Sequence, residues 1–120
     1  MVKGLAFAMY PVADLQRARR FYENDLGLGP SRVFQEAWVE YDLPGGATFA
    51  ITTMAEGCSP RSDAASIGLE VENVERVTEE LRRKGHRIKL GPMTTPVCRM
   101  AVVLDPEGNA LTLHQATKSW

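Results

Sequence analysis

Histidine and cysteine are scarce in this chain, two of each among 120 residues. Cys58 and Cys98 lie far apart with no C-x-x-C spacing, so they read as reduced, unrelated thiols and give no support for a redox dithiol. Neither has a plausible base beside it in sequence, no G-x-S-x-G is present, and no glycine-rich loop could cradle a phosphate. Net charge is equally slight. A formal −1 at pH 7 creates no field that would recruit a polyanion or an anionic surface, so neither nucleic acid nor membrane is expected as a partner. The opening MVKGLAFAMYP is apolar for too short a run to span a bilayer and has no small-residue cleavage site. The expectation is therefore no secretory signal, no anchor and a cytoplasmic address.

What is present is an ordinary globular balance, 44% apolar and 24% charged, in one domain's length of chain. Such a chain buries roughly two-thirds of its unfolded surface without a staple. Its organising feature is an internal repeat. Ser66–Gly85, SIGLEVENVERVTEELRRKG, aligns with Phe7–Leu26, FAMYPVADLQRARRFYENDL, setting Val12 under Val71, Asp14 under Asn73, Leu15 under Val74 and Arg17 under Arg76. Downstream, Tyr41–Thr52 resembles Leu104–His114, with Gly46 under Gly108, Phe49 under Leu111, Ala50 under Thr112 and Ile51 under Leu113. The second copy is a few residues longer in its middle loops, where insertion costs least. Two copies argue for one duplicated supersecondary unit rather than a solenoid.

Each copy reads as strand, helix, then a meander of three strands. Leu5–Val12 predicts a strand whose Pro11 places its end at a sheet edge or bend. Asp14 caps a helix with the stripe Leu15, Ala18, Phe21 or Tyr22, and Leu26, stopped by Gly27, Gly29 and Pro30. Ser31–Glu36, Ala37–Leu43 and the ATFAIT run after Pro44-Gly45-Gly46 supply the meander. In the second copy the pattern predicts a strand at Ile67–Val71 and a helix from the Asn73 cap through Val74, Val77 and Leu81 to Gly85. Further strands follow near His86–Leu90, Arg99–Leu104 and Ala110–Gln115, the last after the turn Asp105-Pro106-Glu107-Gly108-Asn109. The expected class is α+β, two βαβββ modules at about 4–54 and 66–116, joined by a surface linker at 55–65 and followed by a tail at Ala116–Trp120.

Val12–Gly27, V-x-D-L-x-x-A-x-x-F-Y-x-x-x-L-G, together with Asp105–Asn109, D-P-x-G-N, resembles the vicinal oxygen chelate superfamily. That group includes glyoxalase I, extradiol dioxygenases, fosfomycin-resistance enzymes and bleomycin-resistance proteins. The resemblance implies a curved mixed-sheet cup around a small-molecule cavity between modules, and a homodimer. In metal-dependent relatives His, Glu or Gln side chains from the first and last strands of each module hold a divalent ion. Carried onto this chain, those positions are Phe7, seven before Asp14; Ser66, seven before Asn73; and Ala50 and Thr112. None is an imidazole, carboxylate or thiolate, so the expectation is no metal and no cofactor.

Alternation adds candidates. A displaced catalytic or metal site can be drawn from Glu70 and His114, two residues along their strands from the family positions; His86 reads as a solvated loop residue. The inward residues expected to line a ligand site are Phe7, Met9, Thr48, Ala50, Thr52, Ser66, Gly68, Glu70, Thr112 and His114, with Trp38 on the third strand. Glu40 and Asp42 share a face with Trp38, and the residues leave open whether that face is the cup or solvent. Three functions follow as expectations: a metal-free binder of a small, partly apolar organic molecule; a lyase, isomerase or dioxygenase with displaced residues, Glu70 or His114 serving as base; or a filled cup with a structural role.

Overall fold

The computed structural model describes residues 1–55, 57–63 and 66–117; Glu56, Ala64 and Ala65 of the expected linker, and residues 118–120 of the expected tail, Trp120 among them, lie outside the described residues. The chain divides into two compact units, Met1–Pro60 and Arg61–Trp120. The first runs β1 (Ala8–Pro11), α1 (Leu15–Arg19) continued by a π-helical segment (Arg20–Asp25), β2 (Arg32–Phe34), β3 (Trp38–Asp42) and β4 (Thr48–Thr52). The second runs β5 (Ile67–Glu70), α2 (Val74–Arg83), β6 (Ile88–Thr94), β7 (Cys98–Leu104) and β8 (Ala110–Ala116). Each unit has one four-stranded sheet, ordered β1-β4-β3-β2 and β5-β8-β7-β6, with the first pair parallel and the others antiparallel. These are two βαβββ modules of the α+β class, as the repeat predicts.

The repeated caps explain where the helices begin. Asp14 accepts a hydrogen bond from the Arg17 amide at 3.1 Å, and Asn73 accepts one from the Arg76 amide at 3.0 Å, each satisfying a donor the first helical turn leaves open. Both helices end before a glycine with positive φ, Gly27 at 77° and Gly85 at 90°. One residue more lies between Asp14 and Gly27 than between Asn73 and Gly85. The π-helical segment absorbs it. This is a departure from the single α-helix expected over Leu15–Leu26, and it brings the adjacent Phe21 and Tyr22 both into the core, which a regular α-helix would divide between faces.

One face of each sheet is covered by its helix. In the first module Tyr10, Val39, Tyr41, Phe49 and Ile51 are buried with Leu15, Ala18, Phe21 and Tyr22. Tyr22 and Phe49 stand 5.0 Å apart between ring centroids, and Tyr41 stacks on Phe49 at 6.0 Å. The Tyr41 hydroxyl, inside this cluster, donates to Glu23 at 2.9 Å, and Glu23 is held by Arg19 at 2.6 Å. Burial and then that carboxylate push the Tyr41 hydroxyl above the ordinary phenol range, so it stays a neutral donor. The second core is aliphatic: Leu69, Ala101, Val103, Leu111 and Leu113 pack with Val74 and Leu81, each large side chain contributing about 1.5–3 kcal/mol on burial. Gln115 reaches from β8 to accept from the Val74 amide at 2.9 Å, tying the helix start to the sheet.

Two strands differ from expectation. β1 covers Ala8–Pro11 rather than Leu5–Val12, because its partner β4 presents Phe49–Thr52 to it and the Pro44-Gly45-Gly46 turn ends the ladder beyond. β6 starts two residues later than His86 and extends to Thr94. The His86 amide is engaged by Leu81 O at the helix end, and register shifts around Gly91-Pro92 let the edge strand continue past a proline. Gly91 has φ 85°, and a Cβ there would lie 2.9 Å from Met100 O and 3.2 Å from Ala101 Cα.

Two substitutions test this packing with opposite signs. Thr78 is buried on α2 and its hydroxyl has no hydrogen-bond partner among the described residues, so Thr78→Val is expected to stabilise the fold by about 1 kcal/mol, seen as a higher denaturant midpoint. Gly91→Ala must strain φ and crowd the β7 backbone, and is expected to lower stability by about 1–3 kcal/mol in the same unfolding measurement.

Candidate functional site

With alternate residues committed to the helix side, the residues between them face the other way. In the first sheet the register sets Met9 beside Ala50 and Pro11 beside Thr52, then Trp38 opposite Thr52, Glu40 opposite Ala50 and Asp42 opposite Thr48. Arg32 lies opposite Glu40 and Phe34 opposite Trp38. Glu40 and Asp42 therefore lie on the face turned away from the helix, while Val39 and Tyr41 take the buried one.

Trp38, Phe34, Arg32 and Glu40 of this face, together with Val33 and Met54, line a groove of about 510 Å³. Its apolar members come from β2, β3 and the residues just after β4. Thr52 fixes that exit, donating to Ala37 O at 2.9 Å and accepting from the Met54 amide at 2.8 Å. Phe7 lies just before β1, partly exposed, with its ring edge-on to Trp38 at 4.9 Å. Ala50 and Thr52, expected as lining, are wholly buried and support the sheet from within; Met9 and Thr48 are half-buried beside them.

The polar side of the groove is a closed set of charges. Arg32 donates through Nε to Glu40 at 2.6 Å and through Nη2 to Asp42 at 2.7 Å. Glu40 also accepts from Trp38 Nε1 at 2.9 Å, and Asp42 from Thr48 Oγ1 at 2.9 Å. The guanidinium, and next the indole N–H, hold the Glu40 carboxyl below the usual range; the guanidinium, and next the Thr48 hydroxyl, do the same for Asp42. One cation bridges two anions here. Exposed pairs of this kind add little to stability, but they fix the indole by its N–H and leave its flat faces for apolar contact. Arg32 and Phe34 were not among the expected site residues, although their i, i+2 spacing beside the Trp38-Glu40-Asp42 alternation is the signal that could have found them.

The second sheet's open face has different chemistry. Gly68 pairs with Thr112 and Glu70 with His114 in the parallel register of β5 and β8. Ser66 Oγ and Thr112 Oγ1 hydrogen-bond each other at 2.7 Å, and Ser66 also reaches Ala110 O at 3.3 Å. Glu70 Oε1 meets His114 Nδ1 at 2.6 Å while Oε2 accepts the Ala116 amide at 2.8 Å. That amide, followed by the ring, keeps Glu70 below the ordinary carboxylate range. At the positions where the resemblance calls for metal ligands, Phe7 and Ala50 have no donor atom, and Ser66 and Thr112 are alcohols bonded to each other. Such a donor set does not fit a divalent transition metal.

Two βαβββ modules in one chain, each with a helix over one face of its sheet, define the class of protein. A model of the Glyoxalase/Bleomycin resistance protein/Dioxygenase superfamily matches residues 4–113, and the chain belongs to that superfamily. No curated protein matches the chain. Among solved structures it is similar to TnmS3, an antibiotic binding protein from Streptomyces sp. CB03234, with 22% identity over 97% of this chain and 98% of that one at TM-score 0.77. It is similar also to a glyoxalase/dioxygenase from Nostoc punctiforme, at 18% identity, 97% and 92% coverage and TM-score 0.78. FosX, a fosfomycin resistance protein from Listeria monocytogenes, aligns at 18% identity, 98% and 96% coverage and TM-score 0.73. At these identities the likeness concerns the fold.

The charge cluster makes a direct prediction. In Arg32→Ala the carboxylates lose the donor that favours their charged forms, so the Glu40 and Asp42 titrations are expected to move up toward ordinary carboxylate values. Side-chain carboxyl NMR across pH 2–7 reads this, and unchanged titrations would mean the pairs do not persist in solution.

Proposed function

We propose that this protein binds a small, partly apolar organic molecule without a metal ion, and that the groove beside Trp38 is where the apolar part of that molecule rests. The carrying observation is the groove itself, about 510 Å³ and walled by Trp38, Phe34, Val33 and Met54, with Arg32 and Glu40 at its polar side. That volume and that mixture suit a modest organic ligand, for which aromatic walls supply area and a few fixed polar groups supply orientation. The reading is supported by the similarity to an antibiotic binding protein and to a fosfomycin resistance protein, and by a family-position donor set of a benzyl ring, a methyl and two alcohols. A homodimer is part of the reading, as is the lack of any nucleic acid or membrane partner.

A second reading, an enzyme of the same superfamily with displaced residues, draws on the Glu70–His114 contact. The two separate by experiment. Protein purified without chelator is expected to contain well under one equivalent of transition metal, and a stoichiometric metal would favour the enzyme. In a screen of aromatic antibiotics and metabolites, a ligand at about 100 times its dissociation constant should add about 2.7 kcal/mol to stability and raise the melting temperature by several degrees. It should quench Trp38 fluorescence as well, and Trp38→Ala should weaken it at least about tenfold. If no compound shifts the melting temperature, or if Trp38→Ala leaves affinity intact, the groove is not the binding site.

A further inference from the structure

The two aromatic walls of the groove beside Trp38 are set by a tight turn. Phe34 and Trp38 are opposite partners on β2 and β3, with only Gln35, Glu36 and Ala37 between them in the chain. The Ala37 amide donates to Phe34 O at 3.1 Å, while Gln35 and Glu36 take positive φ of 52° and 53°. That is the geometry of a two-residue hairpin loop, which glycine or asparagine adopts readily and glutamine and glutamate only with strain. The strain sits where it fixes Phe34 opposite the indole.

The hydrogen-bonding capacity of the lining is spent unevenly. Trp38 gives its one side-chain donor to Glu40, and both Glu40 oxygens already accept, Oε1 from Arg32 and Oε2 from the indole. Arg32 gives Nε to Glu40 and an Nη2 hydrogen to Asp42, so Nη1 and the other Nη2 hydrogen have no acceptor among the described residues. Arg32 lines the groove with its side chain 56% exposed, so these donors can be reached. Charge narrows what can use them. The guanidinium faces two carboxylates, so the cluster sums to one negative charge, which disfavours an anion. A cation would find both Glu40 oxygens engaged and the guanidinium beside it, and Asp42 does not line the groove. A neutral acceptor meets neither obstacle.

We propose, resting on the binding reading above, that the groove selects neutral planar aromatic molecules bearing a carbonyl, with the ring against Trp38 and Phe34 and the carbonyl oxygen accepting from Arg32 Nη1. Arg32 is the group that determines specificity. Glu40 and Asp42 position it, and their two charges keep its own from attracting an acid.

Four naphthalenes, substituted at the same ring carbon with acetyl, isopropenyl, carboxylate or aminomethyl, test this on the whole chain. The isopropenyl compound keeps the ketone's shape with a methylene in place of its oxygen. Each is titrated while the Trp38 indole N–H is followed by ¹H–¹⁵N NMR. The ketone is expected to bind at least about fivefold tighter than the isopropenyl compound, the worth of one hydrogen bond, and tighter than either ion. In Arg32→Ala the isopropenyl compound should keep its affinity within about twofold, while the ketone's advantage over it disappears. Equal binding of ketone and isopropenyl compound at Trp38, or tightest binding by the carboxylate or the ammonium, would overturn the proposed class and leave the groove standing as a binding site. An Arg32→Ala variant with the full ketone preference would overturn the role of Arg32. No saturable shift at Trp38 with any of the four would overturn the groove reading and this proposal together.

Discussion

The constraint on which the rest depends is the burial of one face of each sheet beneath its helix. A strand's side chains alternate strictly, so once Tyr10, Val39, Tyr41, Phe49 and Ile51 are committed to the first core, Met9, Trp38, Glu40 and Asp42 must point the other way. The same applies in the second module, where Leu69, Leu111 and Leu113 fix the face of Gly68, Glu70, Thr112 and His114. The candidate site residues are thus placed by a hydrophobic requirement that does not involve them. A one-residue slip would exchange the two sets and cost each module its core.

Duplication gives two backbones of the same plan with different chemistry on them. Every phenylalanine and tyrosine lies in the first module, where aromatic rings fill the core and also wall the groove. The second module builds its core from aliphatic side chains and alanine, and its open face carries hydroxyls, a carboxylate and an imidazole. Positions equivalent in the repeat make the divergence plain. Phe7 corresponds to Ser66, Met9 to Gly68 and Ala50 to Thr112, so where one module offers apolar volume the other offers polar atoms or space. The superfamily's scaffold is retained while the groups it presents are not, which is why membership establishes the fold and leaves the ligand to the side chains.

The polar clusters share a device. Trp38 is held through Glu40 and Arg32, and His114 through Glu70 and the Ala116 amide, so in each case a carboxylate orients an aromatic ring by its N–H. These contacts are too exposed to contribute much to stability. Their effect is to restrict which face of the indole and which nitrogen of the imidazole a neighbouring molecule can meet.

The sequence by itself determined the duplication, the two helix caps, the turns at Gly46 and Gly108, and which residues of a strand share a face, because these follow from local chemistry: a capping oxygen, a positive φ, a period of two or of 3.6. It also showed that Phe7, Ala50, Ser66 and Thr112 lack metal-binding side chains. Only the tertiary structure decided that Glu40 and Asp42 lie away from the helix and are bridged by Arg32, that the extra residue of the first helix is absorbed as a π-turn, and that Glu70 touches His114. Each of these depends on the register between segments distant in the chain. That register is set by how two whole faces pack, and no local pattern of residues contains it.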